Sequence, residues 1–154
     1  MSEPGEWITL NPTEFTKSRH EKARNGVQIR ILTSPYDVPE AVRGSYDRDS
    51  RCFRIEFRYM EDEPTVERVA AVHIRLRIGR HSQRLHQIEI DLSGRKEEPV
   101  SLEVCVTQLV AEVDRAIREL AIEARGRRGS KNYSVTQEVL SHRSKQLFAP
   151  LGAT

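Results

Sequence analysis

Phe53-Arg54-Ile55-Glu56-Phe57-Arg58-Tyr59 alternates apolar and charged residues without a break. Successive side chains of a β-strand point to opposite faces. The spacing therefore puts Phe53, Ile55, Phe57 and Tyr59 against a core, and Arg54, Glu56 and Arg58 in water. Downstream, past the acidic Glu61-Asp62-Glu63-Pro64 loop, the same period returns twice. Val72, Ile74, Leu76 and Ile78 share one face, with His73, Arg75 and Arg77 on the other. Gly79 to Ser82 reads as a hairpin turn, after which Ile88, Ile90 and Leu92 point inward and Gln87, Glu89 and Asp91 outward. Upstream, Val27, Ile29 and Ile31 alternate with Gln28 and Arg30, and a turn-rich stretch over 34–50 separates that run from Phe53. These four runs predict an antiparallel meander with one wet face.

One run breaks the alternation. Leu85 is odd-numbered, whereas Ile88, Ile90 and Leu92 are even, so a regular strand cannot turn all four inward. One extra residue reconciles them, which predicts a β-bulge at about His86, with Leu85 opposite Leu76 and Ile88 opposite Ile74.

After Gly94 the period lengthens to 3.6. Val106, Leu109, Val110, Val113, Ile117, Leu120 and Ala124 form one stripe of a helix from about Ser101 to Arg125, with Gly126 as its stop. Residues 100–106 also alternate, so the sequence alone leaves a start near Thr107 open. A basic joint, GRRGSKN, leads into a weaker helix over about 134–148, anchored by Val135, Val139, Leu140, Leu147 and Phe148 and ended by Pro150. At the other end, Asn11-Pro12 opens either a short helix through about Arg24, anchored only by Phe15 and Ala23, or a mobile arm. The expected class is α+β: an N-terminal arm (1–25), a sheet-and-helix domain (26–125) and a basic tail (126–154).

Four strands about 4.8 Å apart present a face roughly 15–19 Å across. One helix is about 10–12 Å wide. The last helix, the N-terminal segment or a second subunit must cover the remainder, and the last of these makes a homodimer an expectation.

The chain has 154 residues, enough for one domain, and its 37% hydrophobic share is lean. Its start carries no basic and apolar leader, and no stretch is apolar enough to span a bilayer. Cys52 and Cys105 form no CxxC pair, so a reducing cytoplasm with free thiols is expected and no membrane. Phosphate-binding glycine loops, HExxH, EF-hand loops and GxSxG are missing, so no cofactor or catalytic motif is legible. His73, His81 and His86 lie on or beside one hairpin, but at no metal-ligand spacing, and His20 and His142 stand apart. Asp47 and Asp49 suit a turn, and Glu61 to Glu63 a solvated loop tip, rather than paired catalytic acids. On the outward sheet face Arg30, Arg54, Arg58, Arg75 and Arg77 are interspersed with Glu56, Glu89 and Asp91. Ion pairing explains that face better than an RNA platform, because the aromatics point the other way.

Charge is distributed unevenly. Net charge is +2, and Arg supplies 20 of 25 basic residues. Residues 1–92 balance, 93–124 carry −3, and 125–154 carry +5. Arg125, Arg127, Arg128, Lys131, Arg143 and Lys145 are thus the candidate contacts to nucleic acid or the ribosome, through phosphates. The plainer reading is complementation of a helix end.

GSYDRDSRCFRIEF, followed by HQIEIDLS, resembles a family of short uncharacterised bacterial β-domains over about 45 residues. That resemblance implies a small β-sheet domain and no reaction. The sequence as a whole points to a non-enzymatic cytoplasmic protein-interaction module, dimeric or bound to another protein. The alternative is a nucleic-acid- or ribosome-associated protein acting through its basic tail.

Overall fold

The computed structural model describes residues 2–11, 19–22, 28–31, 35–94 and 102–152. In chain order they form β1 (Ser2–Pro4), β2 (Ile8–Thr9), β3 (Arg19–Lys22), β4 (Gln28–Ile31), a 3-10 turn at Pro35–Asp37, β5 (Ala41–Asp47) and β6 (Cys52–Arg58). There follow β7 (Thr65–Ala71), β8 (Ile74–Gly79), β9 (Leu85–Asp91), α1 (Leu102–Glu123), α2 (Ser130–Leu147) and a 3-10 turn at Ala149–Gly152. The α+β class with an antiparallel sheet holds. The four-stranded meander does not: the main sheet runs β1-β5-β6-β9-β8-β7, and β2 shares the outer position with β1 beside β5. Seven strands thus fill six positions.

The order differs because the β6–β7 connection, residues 59–64, does not return the chain beside β6. It crosses the ends of β9 and β8 to the far edge, and β9 inserts next to β6, with Ile55 opposite Ile88 and Phe53 opposite Ile90. The expected bulge is present. Arg77 pairs with Gln87 and Ile78 with Leu85, which leaves His86 as the extra residue. The partners are one pair along from those expected, with Leu85 facing Ile78 and Ile88 facing Leu76. Val72, expected inward, is fully exposed in the β7–β8 turn.

The run at 28–31 lies outside the main sheet and pairs with β3 in a separate hairpin, so Arg30 is not on the wet face of that sheet. Residues 19–22 are strand where a helix through Arg24 was one expectation. The rest of that helix, with Phe15 and Ala23, lies outside the described residues. On the wet face, ion pairing dominates: Arg43–Glu56 at 3.2 Å, Arg58–Glu40 at 3.4 Å, Arg75–Glu67 at 3.7 Å and Arg54–Glu89 at 3.9 Å. Trp7 lies under the guanidinium groups of Arg43 and Arg58, 4.3 and 4.8 Å from its ring centre.

The opposite face is covered by two helices. Leu109, Val113, Ile117 and Leu120 of α1 join Tyr133, Val135, Val139, Leu140 and Leu147 of α2 in the core with Phe53, Ile55, Ile88 and Ile90. Phe148 stacks on Phe53 with ring centres 4.9 Å apart. The helix expected to be weak therefore supplies the missing width, and the uncovered face that argued for a second subunit is absent from the sheet. α1 is already helical at Leu102, which settles its start against Thr107. α2 begins four residues earlier than its apolar anchors indicate, because Gly129 adopts φ 98° and turns the chain directly into the helix. A side chain at 129 would meet the Gln83 carbonyl oxygen at 2.8 Å. Among the described residues no helix is long and apolar enough to cross a membrane.

Candidate functional site

A buried polar cluster lies where the β6–β7 connection crosses the β8–β9 turn. Glu63 Oε1 accepts the backbone N–H groups of His81 (3.0 Å) and Ser82 (2.9 Å). Its other oxygen lies 3.5 Å from Arg84 Nη2 and 3.4 Å from His86 Nε2. Glu63 and Arg84 side chains are only 10% and 8% exposed, so the sequence reading of Glu63 as a solvated loop tip is corrected. Desolvation opposes the ionised carboxylate, but the Ser82 and His81 hydrogen bonds and the nearby His86 outweigh it and bring Glu63 down to about 2. Burial lowers His86 against the opposing pull of Glu63.

Arg84 sits between the rings of Tyr36 and Tyr59, 4.4 and 4.2 Å from their centres, and donates to the Tyr36 carbonyl oxygen at 3.1 Å. Beside it, Asn132 takes the Leu85 N–H on Oδ1 (2.8 Å) and donates from Nδ2 to the Asp37 carbonyl and the Tyr59 hydroxyl, both at 2.8 Å. Tyr59 in turn donates to the Leu85 carbonyl at 2.7 Å. This arrangement braces the crossing loop, the His86 bulge and α2 against one another.

The histidines do not converge. His73 Nε2 lies 3.0 Å from Glu112 of α1, His81 is exposed in the β8–β9 turn, and His86 turns inward against Tyr59. Among the described residues no three His, Cys, Asp or Glu side chains are placed to hold a metal ion. Cys52 is buried with its Sγ 3.3 Å from Glu89. Burial first, then Glu89, pushes its thiol up to about 11, the opposite of an activated nucleophile. Asp47 accepts the Asp49 N–H at 3.0 Å, the turn expected from sequence.

The six basic candidates separate into two groups. Arg125, Arg127, Arg128 and Lys131 are exposed around the α1–α2 connection, whereas Arg143 and Lys145 lie near the far end of α2. At 1.5 Å per residue that is about 18 Å beyond Lys131. Arg127 and Arg128 instead meet Arg68 of β7, which the sequence reading did not single out, around a cleft of about 260 Å³. No signal marked Arg68, since its strand went unrecognised.

No family model, curated protein or solved structure matches this chain.

Two further features are open to solvent among the described residues. One is an apolar cleft of about 750 Å³ between the start of α1 and the end of α2, lined by Val104, Val106, Val110, Phe148 and Ala149, with Lys145 at its rim. The other is β7, the last strand of the sheet order. Val66 and Val69 are 55% and 65% exposed. A sheet edge presents backbone N–H and C=O groups that another strand can take up. The opposite edge is interrupted between β1 and β2 and carries Pro4, which has no N–H to offer. β7 is longer, at seven residues, and its one irregularity lies near its end, between Val69 and Ala71.

Proposed function

We propose that this chain is a protein-interaction module that takes up an extended segment of another protein along β7. The carrying observation is the seven-residue edge strand in which Val66 to Val69 are all exposed. Backbone pairing supplies affinity in this mode, and side chains at alternate positions supply selectivity.

The strand chemistry defines the partner. Val66 and Arg68 pair with the inward Ile78 and Leu76, and so stand on the helix side. Glu67 and Val69 pair with Arg77 and Arg75 on the wet side. A matching antiparallel segment places an apolar residue opposite Val69, an acid opposite Arg68, a base opposite Glu67 and an apolar residue opposite Val66. β7 itself spells that order, Val66-Glu67-Arg68-Val69. Self-pairing is nevertheless disfavoured. A twofold axis relating two antiparallel edges must run along the sheet normal, which keeps each residue on its own face. It brings Arg68 opposite its own copy, or Glu67 opposite its own copy, and never Glu67 opposite Arg68. Registers centred on Val66 or Val69 avoid like charges but run into Pro64 or the irregularity at the strand's end. A different protein is free of that symmetry.

Hydrogen exchange on the complex with a co-purifying partner tests the reading. Protection is expected on residues 65–71, and Val66→Lys with Val69→Lys abolishes capture while Ile122→Lys on α1 does not. Protection confined to the Val104–Phe148 cleft, or a dimer by light scattering that survives the paired lysines, sinks it.

A further inference from the structure

We propose that the cleft between β7, the β8–β9 turn and the α1–α2 connection binds a phosphate group, carried on a ligand no larger than a mononucleotide. Three arginines line it, Arg68 from the sheet edge and Arg127 and Arg128 from the helix connection. The single carboxylate in its wall, Glu123, is tied to Arg68 by an ion pair. Basic residues after a helix ordinarily complement its negative end, which accounts for Arg127 and Arg128 behind α1. It does not account for Arg68, which reaches the same space from β7.

The wall is built rather than loose. Arg128 Nη1 donates to the His81 carbonyl at 3.1 Å, and the Tyr133 hydroxyl donates to the Gln83 carbonyl at 2.5 Å. The left-handed Gly129 allows that close approach of α2 to the turn. These contacts hold the helix connection against the β8–β9 turn before any ligand arrives. A pre-set site loses less on binding than one that must be ordered. Lys131, by contrast, is not among the residues that line the cleft.

Planar guanidinium forks match phosphate and carboxylate oxygens alike. Three cations against one carboxylate leave an excess that a phosphate dianion balances and a carboxylate does not. Ile78 and Leu120 give the cleft an apolar lining able to meet the body of an organic phosphate. Its volume of about 260 Å³ is at the small end for ligand pockets, which sets the upper size. The cleft shares Arg68 with the β7 edge, but its other lining residues lie outside that strand, and the variants below alter none of β7.

Calorimetric titration of the full chain at low salt tests it with three probes: inorganic phosphate, adenosine monophosphate and a short single-stranded RNA. Saturable one-site binding of phosphate and of the nucleotide is expected. Arg127→Glu and Arg128→Glu each weaken it by about tenfold or more, the loss of a hydrogen bond to a charged group. Glu123→Gln tightens binding, and Arg143→Glu with Lys145→Glu leaves it unchanged. The proposal falls if the unaltered protein shows no saturable binding, or if binding survives both arginine reversals in proteins with unchanged circular dichroism. It also falls if RNA binds while phosphate and the nucleotide do not, since that marks an extended charged surface. Should the reversals unfold the protein, Glu123→Gln decides: unchanged or weaker binding overturns the site.

Discussion

Gly44→Ala is expected to lower the thermal midpoint by about 6–24 °C. A Cβ at position 44 of β5 would stand 1.8 Å from the Leu147 carbonyl oxygen and 2.9 Å from its carbon, with Phe53 Cζ at 3.0 Å. The nearest two atoms are backbone and cannot swing aside. The end of α2 must lift, taking Leu147 and Phe148 out of a core where both are buried. Each such side chain contributes about 1.5–3 kcal/mol by its burial. Loss of both, about 3–6 kcal/mol, is a large share of the margin of a marginally stable domain, about 5–15 kcal/mol. At about 2–4 °C per kcal/mol for a chain of this size, the shift is large. Thermal unfolding followed by circular dichroism checks it, and a midpoint within about 2 °C of the unaltered protein would contradict the close contact.

The second large effect is expected at Glu63. Glu63→Gln keeps the side-chain shape but leaves the buried Arg84 guanidinium without its counter-charge. Breaking one side of a buried pair costs about 3–5 kcal/mol. The pH dependence distinguishes this from a packing defect. Glu63 is held at about 2 in the fold against an ordinary 4.5, so the unfolded chain binds its proton first as pH falls. Its stabilisation is complete above pH 4.5 and is lost as pH falls toward about 2. His86 acts in the same direction but earlier: burial lowers it from 6.5, so stability starts to fall below that pH. Denaturant midpoints from pH 7 to pH 2 should show a shallower acid limb below pH 4.5 in Glu63→Gln. An unaltered slope there would assign the effect to packing alone.

What was readable beforehand follows from which side of each element is wet. β6 and β9 lie at the centre of the sheet, and β8 presents one clear face, so Phe53, Ile55, Ile74, Leu76, Ile88 and Ile90 alternate cleanly with charged neighbours. The parity break at Leu85 located the bulge from spacing alone. β7 was hidden because an edge strand is exposed on both faces, and Val66 and Val69 have opposite parity. β5 was hidden because Gly44, Ser45 and Asp47 read as turn formers. Its glycine is there to admit the Leu147 carbonyl, a contact 103 residues away that no local pattern carries. The crossing of the β6–β7 connection went unread for a related reason: Glu63 looks like any loop acid until the β8–β9 turn is laid beside it. Of the basic candidates, proximity in sequence grouped Arg143 with Arg127, whereas the helix length separates them and folding brings in Arg68.

The insertion of β9 beside β6 also bears on how the chain assembles. β5 and β6 form one ribbon closed by a short turn, and β7, β8 and β9 form another. Each is built from neighbours in sequence. A single seam, β6 against β9, joins the two ribbons, with Ile55 meeting Ile88 across 33 residues. Closing that seam brings together partners distant in the chain, and such non-local pairing governs folding speed in sheets. The connection spanning the two ribbons is the one that Glu63 fastens to the β8–β9 turn. That carboxylate therefore sits at the joint where two locally formed halves become one sheet.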